Sequence, residues 1–392
     1  MRVLTVGNMY PPQHLGGYEL MWRSAVAHQR AGGHAVRVLT TDWRQPGADA
    51  SEPEDDDVHR ELRWYWHDHV FPRMGPRARL ALERHNATVL DFHLEQFRPD
   101  AVCWWAMGGM SLSLIERVRR AGLPAAAVVV DDWLVYGPKV DAWWRLLRRS
   151  ARRLADACTW IFCSEVVRAR AKEVGLRPAA ASVIHPGIDL ELFSEPPGER
   201  PPWRWQLVYC GRIDPRKGID LAIGALSSLP PQARLRVGGG GDEQELLRLE
   251  RLAEDRGLSD RVGFERHARA ALPAIYAGAD AVLFPVRWLE PFGLVPLEAM
   301  DCGAPVIATG RGGAGEYLRD AENCVIFDPD GGSLALAEAV RRVAGDAGLR
   351  SRLHDCGLAT AARFPESAFN DAVLAALCNA REATMAKVGS AR

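Results

Sequence analysis

Apolar runs of five to eight residues alternate with amphipathic stretches of helical length along this chain, and the alternation stops once, at the proline-rich segment SEPPGERPPW, before starting again. That pattern constrains the fold more than any other feature. RVLTVG reads as a buried strand, GYELMWRSAVAHQRAGG as an amphipathic helix ending at Gly32 and Gly33, and HAVRVLTTD as a second strand. Strand, helix and strand within so short a span form a parallel crossover unit. DAVCWWAM, a helix around residues 114–121, PAAAVVVDD, a basic helix over 143–157 and the strand WIFCS continue it. After the prolines come WQLVYCGR, a helix over 219–229, ARLRVGGGG, a helix over 243–256, RVGFE, ADAVLFP, a helix holding Glu298, and APVIAT.

The chain of 392 residues is too long for one hydrophobic core, so two successive α/β doubly wound units are expected, joined by a linker at 194–205. Such sheets bind ligands outside the carboxyl ends of their strands, and a cleft between the two units is the expected site. A formal net charge of −1 removes any general case for nucleic-acid binding through a basic surface. Eight cysteines without a CxxC pair read as isolated thiols of a reducing compartment. MRVLTVGNMYPP lacks a signal-peptide core and no window is long enough to span a membrane, so a cytoplasmic protein is expected, as monomer or homodimer.

Several polar clusters have plain structural readings. SEPEDDDVHRE at 51–61 reads as a solvated acidic loop. Its D-x-D pair, Asp55 and Asp57, and the second at Asp328 and Asp330 formally admit a metal, but neither follows a strand into a place with other ligands. His67 and His69 share one strand face, but two imidazoles without a third ligand favour a structural role. Ten of thirteen tryptophans precede residue 161, including Trp104, Trp105, Trp133, Trp143 and Trp144; core packing explains most, and aromatic faces also suit a sugar or a cyclic aglycone. WWRLLRRSARRLADA carries Arg145, Arg148, Arg149, Arg152 and Arg153, which reads first as a solvated basic face and second as a contact for anionic lipid or a phosphorylated acceptor.

The chemistry concentrates after the linker. In EPFGLVPLEAMDCGAPVI, Glu290 and Glu298 flank a Phe-Gly turn that follows a strand and opens a helix. The amides of 292–295 then form an anion site for a phosphate, Glu298 leans back toward it to accept from ribose hydroxyls, and Glu290 sits beyond the phosphates, where a sugar would lie. Taken alone, either acid is a helix-end charge. YCGRIDPRKGID adds Arg212 and Lys217 in a glycine-bracketed loop after the unit's first strand, two cations able to stabilise a departing diphosphate. VGGGGDEQE allows close backbone approach to a ligand at 238–241 but departs from G-x-G-x-x-G, because position 243 is Glu. In the first unit Gly16 and Gly17 lie between a strand and a helix start, serving either a ligand or the helix itself.

GRIDPRKG, VGGGGDE, FERHARAALPAIYAGADAVLFPV and EPFGLVPLEAMDCGAPVIAT together resemble the GT4-type retaining glycosyltransferases of the GT-B fold. VIHPGIDLELF at 183–193 is similar to that family's end-of-first-domain segment, and YPPQHLGGYE to its glycine loop. The resemblance covers most of the chain and is strongest over 183–320. It implies two Rossmann-like domains facing each other across a cleft. The acceptor-binding domain is 1–193, completed by a helix at about 366–392, and the donor domain is 206–365. It also implies a nucleoside-diphosphate sugar as co-substrate, an acceptor hydroxyl on a natural product, glycan or lipid, no cofactor and no divalent metal.

Residue by residue, the resemblance matches Arg212 and Lys217 to the diphosphate-binding pair, Glu298 to the ribose ligand and Glu290 to the donor-sugar contact beside the anomeric carbon. The backbone from Pro291 through Phe292 and Gly293 to Leu294 matches the diphosphate cradle, and Gly17, beside Gly16, the glycine that approaches the phosphate. Val130 stands where the family commonly has histidine, before Asp131, Asp132 and Trp133, which fall on the acceptor side. A retaining transfer proceeds either through a covalent Glu290 adduct or by front-face attack, and the resemblance favours the second. Two other readings share the fold: a nucleotide-sugar epimerase or hydrolase, and a binding-only homologue.

Overall fold

The structure, a computed structural model, describes residues 1–45, 55–66, 70–141, 154–195, 200 and 202–390. The chain divides into two compact units, Met1–His185 with Ser367–Arg392, and Pro186–Glu366. The division falls before the SEPPGERPPW segment.

In the first unit the order is β1 (Arg2–Val6), α1 (Gly17–Ala31), β2 (Ala35–Thr41), β3 (Val58–Leu62), α2 (Pro76–Phe97), β4 (Ala101–Trp104), α3 (Ser113–Arg120), β5 (Ala125–Val129), α4 (Trp133–Val140), β6 (Thr159–Phe162), α5 (Glu165–Glu173) and β7 (Ala181–Val183). The strands form one parallel sheet in the order β3-β2-β1-β4-β5-β6-β7. All four residues of β4 are fully buried, the continuous apolar run that a parallel strand covered on both faces requires. Trp22, Trp104, Trp105, Trp133 and Trp160 are also buried, so these five indoles are core. Trp43, Trp64 and Trp66 pack on one another instead, with the Trp64 and Trp66 rings stacked 4.6 Å apart.

Two parts of this unit depart from the sequence reading. The acidic segment does not stay a loop throughout: Val58–Leu62 pairs in parallel with β2 as the edge strand, anchored by the fully buried Leu62. Leu62 and the unpaired edge of β2 together outweigh the charge of the preceding aspartates. The long helix α2 carried no apolar stripe to announce it, because its inward face includes Glu83, Asn86 and His93 besides Leu82 and Leu90. Pro76 in its first turn and Arg98 at φ +46° mark its ends. His67, His69, the arginines of the basic segment and Trp143 and Trp144 lie outside the described residues.

The second unit runs β8 (Gln206–Cys210), α6 (Ile219–Leu226), β9 (Arg234–Gly238), α7 (Glu243–Asp255), β10 (Val262–Glu265), α8 (Leu272–Ala277), β11 (Ala281–Phe284), α9 (Val295–Asp301), β12 (Val306–Ala308), β13 (Val325–Ile326), α10 (Gly332–Gly345) and α11 (Ala347–Ala361). Its parallel sheet is ordered β10-β9-β8-β11-β12-β13. The helix expected over 219–229 stops at Leu226, with Pro230 four residues on. The last helix, α12 (Glu366–Ser390), groups with the first unit from Ser367 onward. There it buries Phe369, Val373 and Leu377, one turn apart, and Asn370 Nδ2 donates to Ser24 Oγ at 2.9 Å. Among the described residues no helix is long and apolar enough to cross a membrane.

In both sheets the strand order reverses beside the first strand: β1 pairs with β2 and β4, and β8 with β9 and β11. The carboxyl ends on either side of such a reversal are where open α/β sheets bind ligands, because the loops leave in opposite directions there.

Candidate functional site

The loops leaving β8 and β11 meet at the reversal of the second sheet. After β8, Gly211 takes φ +146° and Asp214 caps a short 3-10 turn, Pro215–Lys217, accepting from the Arg216 amide at 2.9 Å. Gly218 follows at φ +70°, where a Cβ would collide with the Pro285 carbonyl, so only glycine lets the turn press against the β11 loop. Lys217 is thereby aimed at Glu290. Its Nζ lies 2.9 and 2.8 Å from the two carboxylate oxygens, and the Trp288 indole donates to Oε2 at 2.6 Å. Both side chains of the ion pair are about nine-tenths enclosed, at 14% and 11% exposure, so little water screens them.

Arg212 and Arg216 share Asp214. Arg212 Nη2 is 3.1 Å from Asp214 Oδ2, while Arg216 makes two bonds of 2.9 and 2.6 Å. Burial by itself would raise the Asp214 carboxyl, but its bonds to Arg216 and the charges of Arg216 and Arg212 outweigh it and hold the group well below the usual carboxylate range. The Arg216 guanidinium also sits 4.4 Å over the Trp288 ring. The two cations expected to act together are thus held differently, Lys217 by Glu290 and Arg212 by Asp214.

Glu290 is fixed through its backbone by a segment the sequence reading did not single out. Glu290 pairs with Gly312 in an isolated parallel bridge, and the Gly313 amide donates to the Glu290 carbonyl at 2.7 Å. Gly312 has φ +80°, and a Cβ there would run into the Glu290 backbone. The signal was present as GRGGAG, directly after the strand APVIAT. Trp288, two residues before Glu290, was likewise legible only once its indole was placed.

Gly293 turns the chain at φ +87°, and its carbonyl accepts from Tyr317 Oη at 2.5 Å. Phe292 is buried, its ring 5.2 Å from that of Tyr317. The helix α9 begins at Val295 with Leu294 as its N-cap, two residues later than a start at Gly293, which places Glu298 in its first turn. Glu298 is buried: Oε2 accepts from Tyr276 Oη at 3.1 Å, and Oε1 lies 3.4 Å from Arg269. Burial raises its pKa, partly offset by the Arg269 charge and the Tyr276 bond. Arg269 and Tyr276 come from the segment between β10 and β11, within FERHARAALPAIYAG.

The glycine run after β9 serves the protein's own backbone. A Cβ on Gly239 would collide with the Gly211 carbonyl and one on Gly241 with the Ile213 carbonyl. Gly211 and Ile213 donate to Gly238 and Gly240 at 2.9 and 2.8 Å. At Gly239 and Gly241 the close approach is made by the β8 loop, whereas a Cβ on Gly240 would meet only Arg266 Nε at 3.9 Å.

In the first unit, Gly16 caps α1 and Gly17 begins it, with Glu19 Oε2 accepting from the Gly16 amide at 3.1 Å. A Cβ on Gly16 would meet nothing within 4 Å, so protein packing does not demand glycine there. Asp131 accepts from the Trp133 amide at 2.9 Å and Asp132 pairs with Arg170 at 2.6 Å. Trp133 is fully buried beside Trp160, so its ring is part of the core. The D-x-D pairs are also engaged: Asp55 accepts from Tyr10, Asp57 pairs with Arg37, Asp328 caps a 3-10 turn and Asp330 pairs with Arg311.

Comparison with known proteins adds to this geometry. Residues 195–357 match the family model described as Glycosyl transferases group 1, and residues 15–192 match that of Glycosyltransferase Family 4. The GDP-mannose-dependent alpha-(1-6)-phosphatidylinositol monomannoside mannosyltransferase of Mycobacterium tuberculosis is 30% identical over 83% of this chain and 85% of its own length. The D-inositol 3-phosphate glycosyltransferase of Mycobacteroides abscessus is 38% identical over 35% of this chain, a match spanning 33% of that protein. Among solved structures, sucrose-phosphate synthase from Thermosynechococcus elongatus aligns at TM-score 0.74 with 21% identity over 94% of this chain and 96% of its own. Anabaena HepE in complex with UDP-glucose aligns at 0.74 with 22% identity over 97% and 100%. At those identities the structures speak to fold alone, two Rossmann-like domains of the GT-B type.

Proposed function

The chain belongs to the family 4 glycosyltransferases, and from that membership we propose that it moves a sugar from a nucleoside-diphosphate sugar to an acceptor hydroxyl with retention of configuration and without a divalent metal. The observation that carries the proposal is the Lys217–Glu290 ion pair at the reversal of the second sheet, with Arg212 on the same β8 loop. An incoming diphosphate competes with Glu290 for Lys217. Once Lys217 turns to the phosphate, Glu290 is released to the sugar hydroxyls and to the positive charge that grows at the anomeric carbon.

In this reading the acceptor oxygen attacks the face that the diphosphate leaves. The bond from the anomeric carbon to the diphosphate oxygen breaks, the bond to the acceptor oxygen forms, and the departing phosphate oxygen takes the acceptor proton. Arg212 and Lys217 stabilise the charge on the leaving group, the role a metal ion fills elsewhere. Glu290 positions and stabilises electrostatically. The backbone of Pro291, Phe292, Gly293 and Leu294 cradles the diphosphate, Glu298 accepts from ribose hydroxyls, and Gly17 with Gly16 is the first unit's candidate for phosphate contact. Asp131 and Asp132 are the acceptor-side candidates, and acceptors are natural-product, glycan or lipid hydroxyls.

The mannosyltransferase relative's name puts GDP-mannose first in a donor panel, with UDP-glucose as a comparison donor. Each donor is incubated with and without acceptor, in EDTA and in magnesium, and products are followed by mass spectrometry and by NMR of the anomeric centre. Retention with EDTA-insensitive rates is expected. An inverted product would overturn the stereochemical assignment, and loss of rate in EDTA restored by magnesium would overturn metal independence. Donor turnover without acceptor would point to a hydrolase or epimerase.

A further inference from the structure

The edge of the first sheet gathers three metal-ligating side chains with no part in the transfer chemistry. His59 and Glu61 stand two residues apart on β3, where the ladder to β2 skips Glu61, and the His59 ring and the Glu61 carboxylate both meet His93 of α2. One ligand atom from each lies within 4.8 Å of the other two. His59 Nδ1 is 3.2 Å from Glu61 Oε1, and His93 Nε2 is 3.2 Å from Glu61 Oε2. Charge-assisted N–H···O bonds close to about 2.7–2.9 Å, whereas neighbouring ligands on a tetrahedral zinc ion are about 3.3 Å apart, given metal–ligand bonds near 2.0–2.1 Å.

A second observation concerns the orientation of the His59 imidazole. His59 Nε2 lies 2.7 Å from Asp57 Oδ1, and Asp57 is itself gripped by Arg37 Nε at 3.0 and 3.1 Å. The contact orients the ring so that its other nitrogen, Nδ1, faces the Glu61 carboxylate. Carboxylate, histidine and metal in line is the arrangement by which outer partners orient metal-bound imidazoles. His93 is fully buried while His59 and Glu61 are 29% and 44% exposed, so the ring of α2 anchors the site and solvent reaches its open side.

We propose that His59, Glu61 and His93 form a zinc site that ties the edge strand β3 to α2, its fourth position left to water. Two imidazoles, one carboxylate and no thiolate suit zinc and exclude the softer thiolate sites. The ion's ligands are distinct from the residues proposed to hold the donor.

The test uses tag-free full-length protein stripped with chelator and titrated with zinc chloride by calorimetry, alongside thermal melts. One zinc per chain is expected, with Tm rising by about 5 °C at saturating metal. His59→Ala and Glu61→Gln, both at solvent-accessible positions, should each weaken binding at least about tenfold and abolish the Tm rise. Cobalt in place of zinc should give tetrahedral d–d bands without thiolate charge transfer. Absence of saturable binding would overturn the proposal, as would zinc binding unchanged in both variants or a thiolate band with cobalt, which would move the metal to the cysteines.

Discussion

Lys217 and Glu290 are 73 residues apart in the chain, yet the lysine ammonium spans both carboxylate oxygens at 2.9 and 2.8 Å. The pair exists because β8 and β11 are hydrogen-bonded neighbours, so the loop after each leaves the same end of the sheet. Neither side chain is positioned by its own sequence neighbourhood alone. Each holds the other's charge in a place largely closed to water.

Breaking such a pair from one side strands the partner's charge. Lys217→Ala and Glu290→Ala should each cost about 3 kcal/mol, and the double variant clearly less than their sum. Chemical denaturation of the four proteins in the cycle measures the coupling, and strict additivity would mean the pair is not energetically real. Glu290→Gln, nearly isosteric, should keep the fold while lowering kcat/KM at least about a hundredfold. Full activity in that variant would remove Glu290 from the reaction.

Gly312→Ala tests the backbone support of the same carboxylate. The added Cβ meets the Glu290 main chain at a φ of +80° that alanine tolerates poorly. The left-handed φ alone costs about 1–2 kcal/mol and the clash with backbone adds about 1–3 kcal/mol, and displacement of the Glu290 loop should lower activity more than about tenfold. Transfer rates and Tm measured together check it, and an unchanged rate would detach Gly312 from the site.

Gly16→Ala separates ligand contact from folding. Gly16 is extended, with φ −176°, and nothing lies within 4 Å of an added Cβ, so stability should change by no more than about 0.5 kcal/mol. A raised KM for donor at unchanged Tm is expected if the glycine loop approaches the phosphate. Unchanged steady-state constants would assign Gly16 to the helix start alone.

Asp301, one turn beyond Glu298, is buried with Oδ2 unpartnered, and burial raises its pKa from 3.8 to about 6. The native state therefore holds this proton over a range where the unfolded chain has released it. Its contribution to stability is present below about pH 4 and is lost as pH rises through about 6, a change of up to about 3 kcal/mol. Asp301→Asn should flatten that part of the profile and melt higher than wild type at pH 7. Parallel curves from pH 4 to 7 would show that Asp301 does not titrate in this window.

Much of the site's composition was legible because strands and glycine-bracketed loops announce themselves locally. YCGRIDPRKG puts Arg212 and Lys217 after a strand, and EPFGLVPLEAM puts Glu290 and Glu298 around a turn before a helix, whatever the rest of the chain does. Local reading failed where identity depends on a distant partner. The run VGGGGDE fits a ligand or a neighbouring segment equally well, and only the bridge from Ile213 to Gly241 shows that the β8 loop packs against it there. Trp133 fits a sugar platform or a core until its ring is found fully buried.

The sequence by itself determined the two alternating α/β units, their break near the proline-rich segment and the charged residues that end particular strands, since hydrophobic periodicity and turn chemistry are local properties. Tertiary structure alone decided that Lys217 faces Glu290, that Gly312 holds Glu290 in place, and that an acidic stretch becomes an edge strand carrying His59 and Glu61 toward His93. Those are matters of strand order and register. They are set by long-range pairing and burial, which no window of sequence contains.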